Sequence, residues 1–168
     1  HKYVFTYVPE GFDKDQESRI INNYMKAISQ RYPELKMNTY TNEENVSDLL
    51  RAFKEGKIDL LMAMKMLDEG VDVPRAETGI FASSTGNPRQ FIQRRGRLLR
   101  THEEKTLSTI YDMVVIPRTS NLDNNTFKIE RSLVKNELRR VGHFASLAIN
   151  YYDSRNELEN LCSKYELN

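Results

Sequence analysis

Short apolar runs and amphipathic segments alternate along the first 117 residues. Runs such as KYVFTYVP, IDLLMAM and TGIFAS are rich in β-branched, aromatic or aliphatic residues and predict buried strands. Apolar residues at helical spacing predict helices over 15–31 and 41–56, and Thr41 with Glu44 forms a capping box at the start of the second. Because apolar strands alternate with helices, the pattern predicts an α/β fold, with a parallel sheet flanked by helices.

A third helix is predicted to begin at Pro88, and TIYDMVVIP then predicts another buried strand. The pattern changes after residue 117. RTSNLDNN is a loop sequence, whereas 127–167 has helical spacing throughout, with candidate breaks near Gly142 and Asp153. We therefore expect an α/β domain over 2–117 and a helical extension of two or three helices over 118–168.

Charge and cysteine content narrow the class of protein. The chain has 25 Lys plus Arg against 24 Asp plus Glu, so any contact with a polyanion must be local. Cys162 is the single cysteine, and no apolar run approaches the roughly 18 to 20 residues that span a bilayer, which indicates a cytoplasmic protein. The chain opens at His1 and enters a strand directly, which we interpret as a fragment of a longer protein with His1 left from an expression tag.

Local positive charge is concentrated in FIQRRGRLLR, residues 91–100. On a helix, Gln93, Arg97 and Arg100 are spaced i, i+4, i+7 and share one stripe. Apolar residues of the segment repeat on other faces, where we expect them to pack. Gly96 costs about 1 kcal/mol relative to alanine inside a helix, so it indicates a close approach to the backbone there.

Guanidinium groups fixed along a stripe can donate two hydrogen bonds each to phosphate oxygens, a planar geometry that lysine does not reproduce. The segment taken alone is also compatible with a solvated face, a general nucleic-acid patch or a localisation signal. A second segment bears on this choice.

The segment MLDEGVDVP, residues 66–74, follows a predicted parallel strand, where open α/β sheets place ligands. Gly70 permits a turn with positive φ, and Asp72 can accept a hydrogen bond from a ribose hydroxyl or hold a water near a phosphate. In isolation this segment also fits an ordinary solvated turn.

Together, DEGVDVP and QRRGRLLR resemble motifs V and VI of superfamily 2 helicases and translocases, about twenty residues apart and each after a buried strand. The resemblance covers about the first 117 residues and implies the second RecA-like domain, with KYVFTYVP at the strand of motif IV. The wording is most similar to the branch of repair helicases and of type I and III restriction-enzyme motor subunits. It is less similar to the DEAD-box branch, which usually has His at Gln93 and Gly at Leu99.

The resemblance implies a role for each matching residue. Arg97 and Arg100 match the arginine fingers of motif VI, Gln93 and Arg94 begin that motif, and Gly70 and Asp72 match the nucleotide-coupling positions of motif V. In the family, ATP with Mg²⁺ binds between two RecA-like domains. The chain contains no GxxxxGKS/T loop and no magnesium-binding acidic box, so we expect it to be inactive in ATP hydrolysis without the N-terminal RecA-like domain.

The resemblance also implies contacts with the backbone of a tracked nucleic acid, which is DNA or alternatively RNA. Phosphate contacts of this kind position the polymer without reading its sequence. The family often has threonine near the start of motif V, where this chain has Ala63, Met64 and Lys65. Turn capping is the alternative role for the hydroxyl residues. The candidates are Thr39, Thr41, Lys65, Ser83, Ser84 and Thr85.

The sequence therefore predicts the C-terminal motor lobe of an ATP-dependent superfamily 2 helicase or translocase, with roles such as DNA repair or restriction-modification. The alternative is a non-catalytic module that binds nucleic acid or docks a partner through its arginine helix and helical tail. A dinucleotide-binding enzyme is disfavoured because no GxGxxG follows the first strand. Isolated histidines and one cysteine do not have metal-ligand spacing, so no protein-bound metal is expected.

Overall fold

The computed structural model describes residues 2–13, 18–40, 46–64, 73, 75–82, 88–117 and 124–167. Within these ranges, the side chains of residues 12, 13, 18, 88–91, 94 and 124 lie outside the description. The chain divides into two compact units, the first ending at Met113 and the second beginning at Val114.

The first unit alternates strands and helices, as the hydrophobic pattern predicts. Its elements are β1 (Val4–Tyr7), β2 (Phe12–Asp13), β3 (Ser18–Arg19), α1 (Ile20–Arg31), β4 (Met37–Tyr40), α2 (Val46–Lys54), β5 (Leu60–Ala63), β6 (Thr78–Phe81), α3 (Pro88–Leu98) and β7 (Thr109–Asp112).

Five of these strands form one sheet in the order β4-β5-β1-β6-β7, and every pairing in it is parallel. The register aligns the last residues of all five strands in one row at the carboxyl edge of the sheet. The row consists of Tyr40, Ala63, Tyr7, Phe81 and Asp112. The predicted α/β fold with a parallel sheet is confirmed.

Apolar side chains cover both faces of the sheet. On one face, Ile21 of α1 packs with Val4 and Leu60 in a core cluster. On the other, the rings of Tyr7 and Phe81 stack with their centroids 5.2 Å apart. Successive residues of a strand point to opposite faces, so strands buried on both faces are mostly apolar, and Thr6 is a buried polar residue of β1.

Two predictions for this unit are wrong. Ser18–Arg19 pairs antiparallel with Phe12–Asp13, so the first helix begins at Ile20 and not near residue 15. The TIYD strand, β7, is an edge strand of the sheet and is not fully buried, since Tyr111 remains 59% exposed. An apolar run predicts a strand, but the number of its neighbours depends on the topology.

Two helix boundaries agree with the sequence, namely the end of α2 and the start of α3. Gly56 follows α2 with φ of +70°, and its amide donates to the Phe53 carbonyl, as expected of a helix-terminating glycine. Pro88 is the first residue of α3. The proposed capping box of Thr41 and Glu44 lies outside the described residues.

The second unit is a pair of helices, α4 (Asn124–Ala145) and α5 (Tyr151–Lys164). Its core cluster contains Val134, Leu138 and Tyr165, with Cys162 packed against it. The expected break near Gly142 is wrong, because α4 continues to Ala145. The chain instead leaves the helix over 146–150, and α5 contains Asp153 within its first turn.

Two side chains fix the end of α5 within this unit. The Nε of Arg131 donates to the Tyr165 carbonyl at 3.0 Å, and its Nη2 donates to the Glu166 carbonyl. The Tyr165 hydroxyl donates to the carbonyl of Pro117. Burial raises the pKa of Tyr165, and the charge of Glu130 acts in the same direction. Among the described helices, none is both long and apolar enough to cross a bilayer.

Candidate functional site

The arginine-rich segment forms α3, the helix that follows β6. Gln93 and Gly96 are exposed on it, Arg97 is partly exposed and Leu98 is buried, whereas Arg100 is exposed two residues beyond the end of the helix. Gln93 and Arg97 lie one turn apart and form a polar face on α3, but the predicted helical stripe does not extend to Arg100, because the helix ends at Leu98. Neither proposed arginine finger is enclosed in the interior of the unit.

Helix α3 packs closely on β6 because residue 79 is glycine. A Cβ built on Gly79 would stand less than 3.0 Å from Leu98 Cδ1, which is closer than real Cβ contacts allow. The Leu98 side chain fills this space and is only 1% exposed. Because Leu98 follows Arg97 directly, seating Leu98 on the sheet also fixes the backbone that carries Arg97.

Polar contacts hold the carboxyl end of the same helix. The Leu98 carbonyl accepts hydrogen bonds from Lys105 Nζ at 2.8 Å and from Ser108 Oγ at 3.1 Å. Lys105 Nζ also donates to the Ala76 carbonyl at 3.2 Å, just before β6. A cation beside the last carbonyls of a helix stabilises it through both hydrogen bonding and the helix dipole. Lys105 therefore joins the end of α3 to the start of β6.

A buried arginine fixes the loop that contains Lys105. Arg75 is 9% exposed, and its guanidinium lies over the Tyr3 ring, 3.8 Å from the ring centroid. Its Nη1 pairs with Glu77 Oε1 at 2.7 Å, and its Nη2 reaches Glu104 Oε2 at 3.2 Å. Arg75 is thus held by the fold itself and is not available to a ligand.

The positive charge of Arg97 affects the pKa of a buried tyrosine on the sheet. Tyr40, the last residue of β4, is 4% exposed, and burial raises its pKa, whereas the positive charge of Arg97 acts to lower it. Burial also lowers the pKa of the neighbouring Arg95 guanidinium. Arg95 is partly withdrawn from solvent, whereas Gln93 and Arg100 are exposed. Arg95 therefore lies on a different side of α3 from Gln93 and Arg97.

Open space surrounds the backbone of α3 at Gly96, beside this polar face. A Cβ built on Gly96 would meet no heavy atom within 4 Å. The close approach that the sequence suggests at Gly96 is therefore not made by the described part of this unit. A polar face with an uncovered backbone between Gln93 and Arg100 can accommodate an external group rich in oxygen acceptors.

The structure describes few of the other predicted site residues. Thr39 lies one residue before the end of edge strand β4 and is partly exposed. The backbone of Arg94 is part of α3, but its side chain lies outside the description. The remaining candidates also lie outside the described residues: Thr41, Lys65, Gly70, Asp72, Ser83, Ser84 and Thr85.

The apolar residues of α3 do not all pack as expected. Leu98 is buried, but Ile92 and Leu99 are each 46% exposed, so the expectation of packing is wrong for these two. Ile92 lies on α3, and Leu99 directly follows its last residue, with its amide donating to the Arg95 carbonyl at 3.0 Å. The exposed surface of this segment therefore combines apolar side chains with polar groups.

Three residues that organise the site were not predicted as site residues: Tyr40, Gly79 and Lys105. The glycine inside the TGIFAS strand carried a usable signal, because an isolated glycine in a strand indicates a close backbone approach. Lys105 and Tyr40 carried no such signal, since their roles depend on which distant backbone or charge they meet.

A family model matches more than half of the chain. The model of the helicase conserved C-terminal domain covers residues 12–102, which include both α3 and the sheet strands β4, β5 and β6. The chain belongs to this helicase C-terminal domain family. The predicted kinship with superfamily 2 helicases and translocases is thereby confirmed.

Curated relatives of this helicase domain are much longer proteins. The DNA 3'-5' translocase XPB2 of Sulfurisphaera tokodaii is 37% identical over 67 residues, which are 40% of this chain and 15% of the relative. A Dicer-like protein 2 of Pyricularia oryzae is 31% identical over 119 residues, or 70% of this chain and 8% of the relative. The chain thus spans less than a fifth of either protein.

Solved structures agree on the fold. The yeast DEAD-box splicing factor Prp28 matches with a TM-score of 0.57 at 15% identity, covering 99% of this chain and 32% of that one. The type ISP restriction-modification enzyme LlaBIII bound to DNA matches with a TM-score of 0.51 at 16% identity, covering 88% of this chain and 11% of that one. The sheet and its helices are those of a helicase C-terminal lobe.

Among the described residues, no group of three or more metal-ligating side chains is present.

Proposed function

We propose that this helicase domain supplies the arginine fingers of an ATPase site whose phosphate-binding loop belongs to an N-terminal RecA-like domain. The observation that carries the proposal is the exposed polar surface of α3 and of the residues that follow it, with Gln93 and the open backbone of Gly96 on the helix and Arg100 just beyond its end. Arg97 lies one turn from Gln93 on the same face of α3 and is partly exposed. Leu98, which directly follows Arg97, is buried against Gly79, so the packing of the domain fixes the backbone that carries Arg97.

The donors of this face fit the terminal phosphates of ATP. Guanidinium groups donate two parallel hydrogen bonds to phosphate oxygens, and Gln93 adds an amide donor. The missing side chain at Gly96 leaves room for such a group, since nothing lies within 4 Å of its Cβ position. Mg²⁺ bound with ATP neutralises phosphate charge, and its protein ligands belong to the N-terminal domain in this proposal.

Charge development explains the role of the arginines. Phosphoryl transfer spreads negative charge over the equatorial oxygens of the transferred group, and an arginine supplied from a second domain can accelerate hydrolysis by about 10³ to 10⁵. Arg97 and Arg100 take this role when the two domains close over the nucleotide. Since the arginines arrive only on closure, hydrolysis is coupled to domain motion.

The same lobe contacts the backbone of DNA, with RNA as the alternative, through the carboxyl edge of its sheet. Among the described candidates, Thr39 has a partly exposed side chain close to that edge. A threonine hydroxyl can donate to a phosphate oxygen without reading sequence. Gly70 and Asp72 couple the nucleotide to this surface. Further contacts with the phosphodiester backbone of the nucleic acid come from Lys65, Thr41 and 83–85.

Hydrolysis by the protein that contains both RecA-like domains tests the proposal. Arg97→Ala should reduce kcat for ATP by about 10³ or more, while Kd for ATP changes by less than about tenfold. Arg97→Lys should restore little activity, because lysine does not provide the forked geometry. Arg31→Ala, which removes an exposed arginine at the end of α1, is the matched control.

Turnover at the wild-type rate in Arg97→Ala would exclude the finger role. It would favour the alternative of a non-catalytic module that binds nucleic acid or a partner. A second arm compares the isolated helicase domain with the two-domain protein. The isolated domain should not hydrolyse ATP, and turnover by the domain alone would contradict the assignment of a shared site.

A further inference from the structure

The helices of the second unit carry a segregated cationic surface. Lys128, Lys135 and Arg139 of α4 are all exposed. Their spacing is i, i+7, i+11, and at about 100° per residue they fall within about 40° of one another around the helix. We refer to these three residues as the α4 basic stripe.

The acidic residues of the same helix lie on the other side. Glu130 and Glu137 are also seven residues apart, and on the helical wheel they fall roughly opposite the α4 basic stripe. Glu137 pairs with Arg140 at 2.6 Å, so its charge is compensated locally. The three cations of the stripe are thus separated from Glu130 and Glu137, whereas Arg140 lies on the acidic side of α4 and neutralises Glu137 there.

The cations of the stripe have no partners within the described part of the chain. Arg131 lies at the margin of the same surface but is engaged, since it donates to the carbonyls at the end of α5. Lys128, Lys135 and Arg139 make no hydrogen bond or ion pair with described residues. One arginine therefore fixes the helix pair, and three cations face outward from it.

The core of the helix pair leaves this stripe accessible. Val134 and Leu138 are buried against Tyr165, and they lie on a different side of α4 from the stripe. The stripe extends over eleven residues, or about 16 Å at 1.5 Å per residue. A nucleic-acid duplex presents about one phosphate per 1.7 Å of its axis, so several phosphates lie within reach of the three cations.

We propose that the α4 basic stripe binds the phosphodiester backbone of a nucleic acid. The inference rests on the proposed function in one respect, namely that a helicase lobe acts on such a polymer. It adds a second contact surface outside residues 12–102, the range matched by the helicase family. Lysine and arginine spaced along a helix contact phosphates and carry no sequence preference.

Salt dependence of binding tests this surface in the protein that contains the complete chain. The triple variant Lys128→Gln, Lys135→Gln, Arg139→Gln should reduce the slope of log K against log salt by about 2.7 on duplex DNA, since each phosphate contact contributes about 0.9. On a single strand the reduction should be about 2.1, at about 0.7 per contact. Duplex RNA is the third probe and separates backbone contact in general from a preference for DNA.

The matched control removes the same charge from exposed positions elsewhere. Lys26→Gln, Arg31→Gln, Lys36→Gln should leave the slope unchanged. A conservative variant, Lys128→Arg with Lys135→Arg, should retain the wild-type slope, because the charge is kept. Helical circular dichroism and the melting temperature of each variant show whether the fold is intact.

Equal loss of slope in the triple variant and its control, or no loss in either, would overturn the inference. Binding of anionic lipid vesicles in place of nucleic acid, lost in the triple variant, would also overturn it. The outcome is separable from that of the ATPase proposal. If the slope is unchanged and Arg97→Ala is inactive, only the role of the α4 basic stripe is contradicted. If the slope is reduced and Arg97→Ala is active, only the arginine-finger role is contradicted.

Discussion

Leu98 of α3 fills the space beside Gly79 of β6 that a side chain on residue 79 would otherwise occupy. Leu98 is 1% exposed and immediately follows Arg97. The closeness of this pair determines how near the arginine helix lies to the sheet. A packing contact between two residues without chemical function therefore sets the position of the residues proposed to act on ATP.

Gly79→Ala should destabilise the domain by about 1 to 3 kcal/mol, because the new methyl overlaps Leu98 Cδ1 in a packed interior. Leu98→Ala should cost about 2 to 5 kcal/mol through the cavity it leaves. The double variant should cost less than the sum, since the smaller side chain makes room for the methyl. Denaturant unfolding of the four proteins measures this coupling, and strict additivity would contradict the contact.

Gly96→Ala is the opposite case on the same helix. A methyl there meets nothing within 4 Å, so the substitution should stabilise the domain by up to about 1 kcal/mol through helix propensity. If ATP phosphates approach this backbone, the same variant should lower kcat for ATP several-fold. Thermal unfolding and steady-state hydrolysis provide the two readouts. A stabilised variant with full activity would show that no ligand comes close to Gly96.

Lys105→Met should loosen the carboxyl end of α3. The variant retains a long apolar side chain but loses the hydrogen bonds to the carbonyls of Leu98 and Ala76. Hydrogen bonds from a charged group contribute about 1.5 to 3 kcal/mol, so the unfolding free energy should fall by an amount in that range. Hydrogen exchange of the α3 amides should become faster. Lys26→Met, at an exposed site on α1, should change neither quantity.

Tyr165→Phe should alter the response of stability to alkaline pH. The pKa of Tyr165 is raised above the ordinary phenol value of 10.0 by burial, so the unfolded chain loses this proton at a lower pH than the folded chain does. The contribution of the neutral phenol to the free energy of unfolding is fully present below pH 10.0 and declines as pH rises towards the folded-state pKa.

At about pH 8 the variant should be less stable by about 1 kcal/mol, because the hydrogen bond to the Pro117 carbonyl is lost. The difference between wild type and variant should narrow above pH 10.0, since phenylalanine does not ionise. Chemical unfolding at a series of pH values measures it. A difference that stays constant across this range would show that the phenol titrates normally.

Most of the sheet could be predicted from the sequence because its signals are local. The continuous apolar runs at Leu60–Ala63 and Thr78–Phe81 became strands buried between neighbours, and Pro88 began α3 as its fixed φ favours. The shared face of Gln93 and Arg97 could also be predicted, because both lie on α3 at i, i+4, whereas Arg100 lies beyond the end of the helix, where helical spacing no longer applies.

What the sequence could not provide was the identity of distant neighbours. The apolar run at Thr109–Asp112 became an edge strand, since strand order depends on the whole topology and not on the run itself. Ser18 and Arg19 joined a short hairpin although their surroundings favour a helix, because pairing with Phe12–Asp13 competes with local propensity. Lys105 acts on carbonyls contributed by α3 and by the segment before β6, and no local pattern marks such a role.

The central claim is that Arg97 acts on the transferred phosphoryl group and not on bound ATP in general. The most direct test compares the affinity of the two-domain protein for ADP with aluminium fluoride, a transition-state analogue, with its affinity for non-hydrolysable ATP. Arg97→Ala should weaken analogue binding by about 10³ while changing ATP affinity by less than about tenfold, and Arg31→Ala should change neither. An equal loss of affinity for both ligands, or no loss for either, would contradict the role assigned to Arg97.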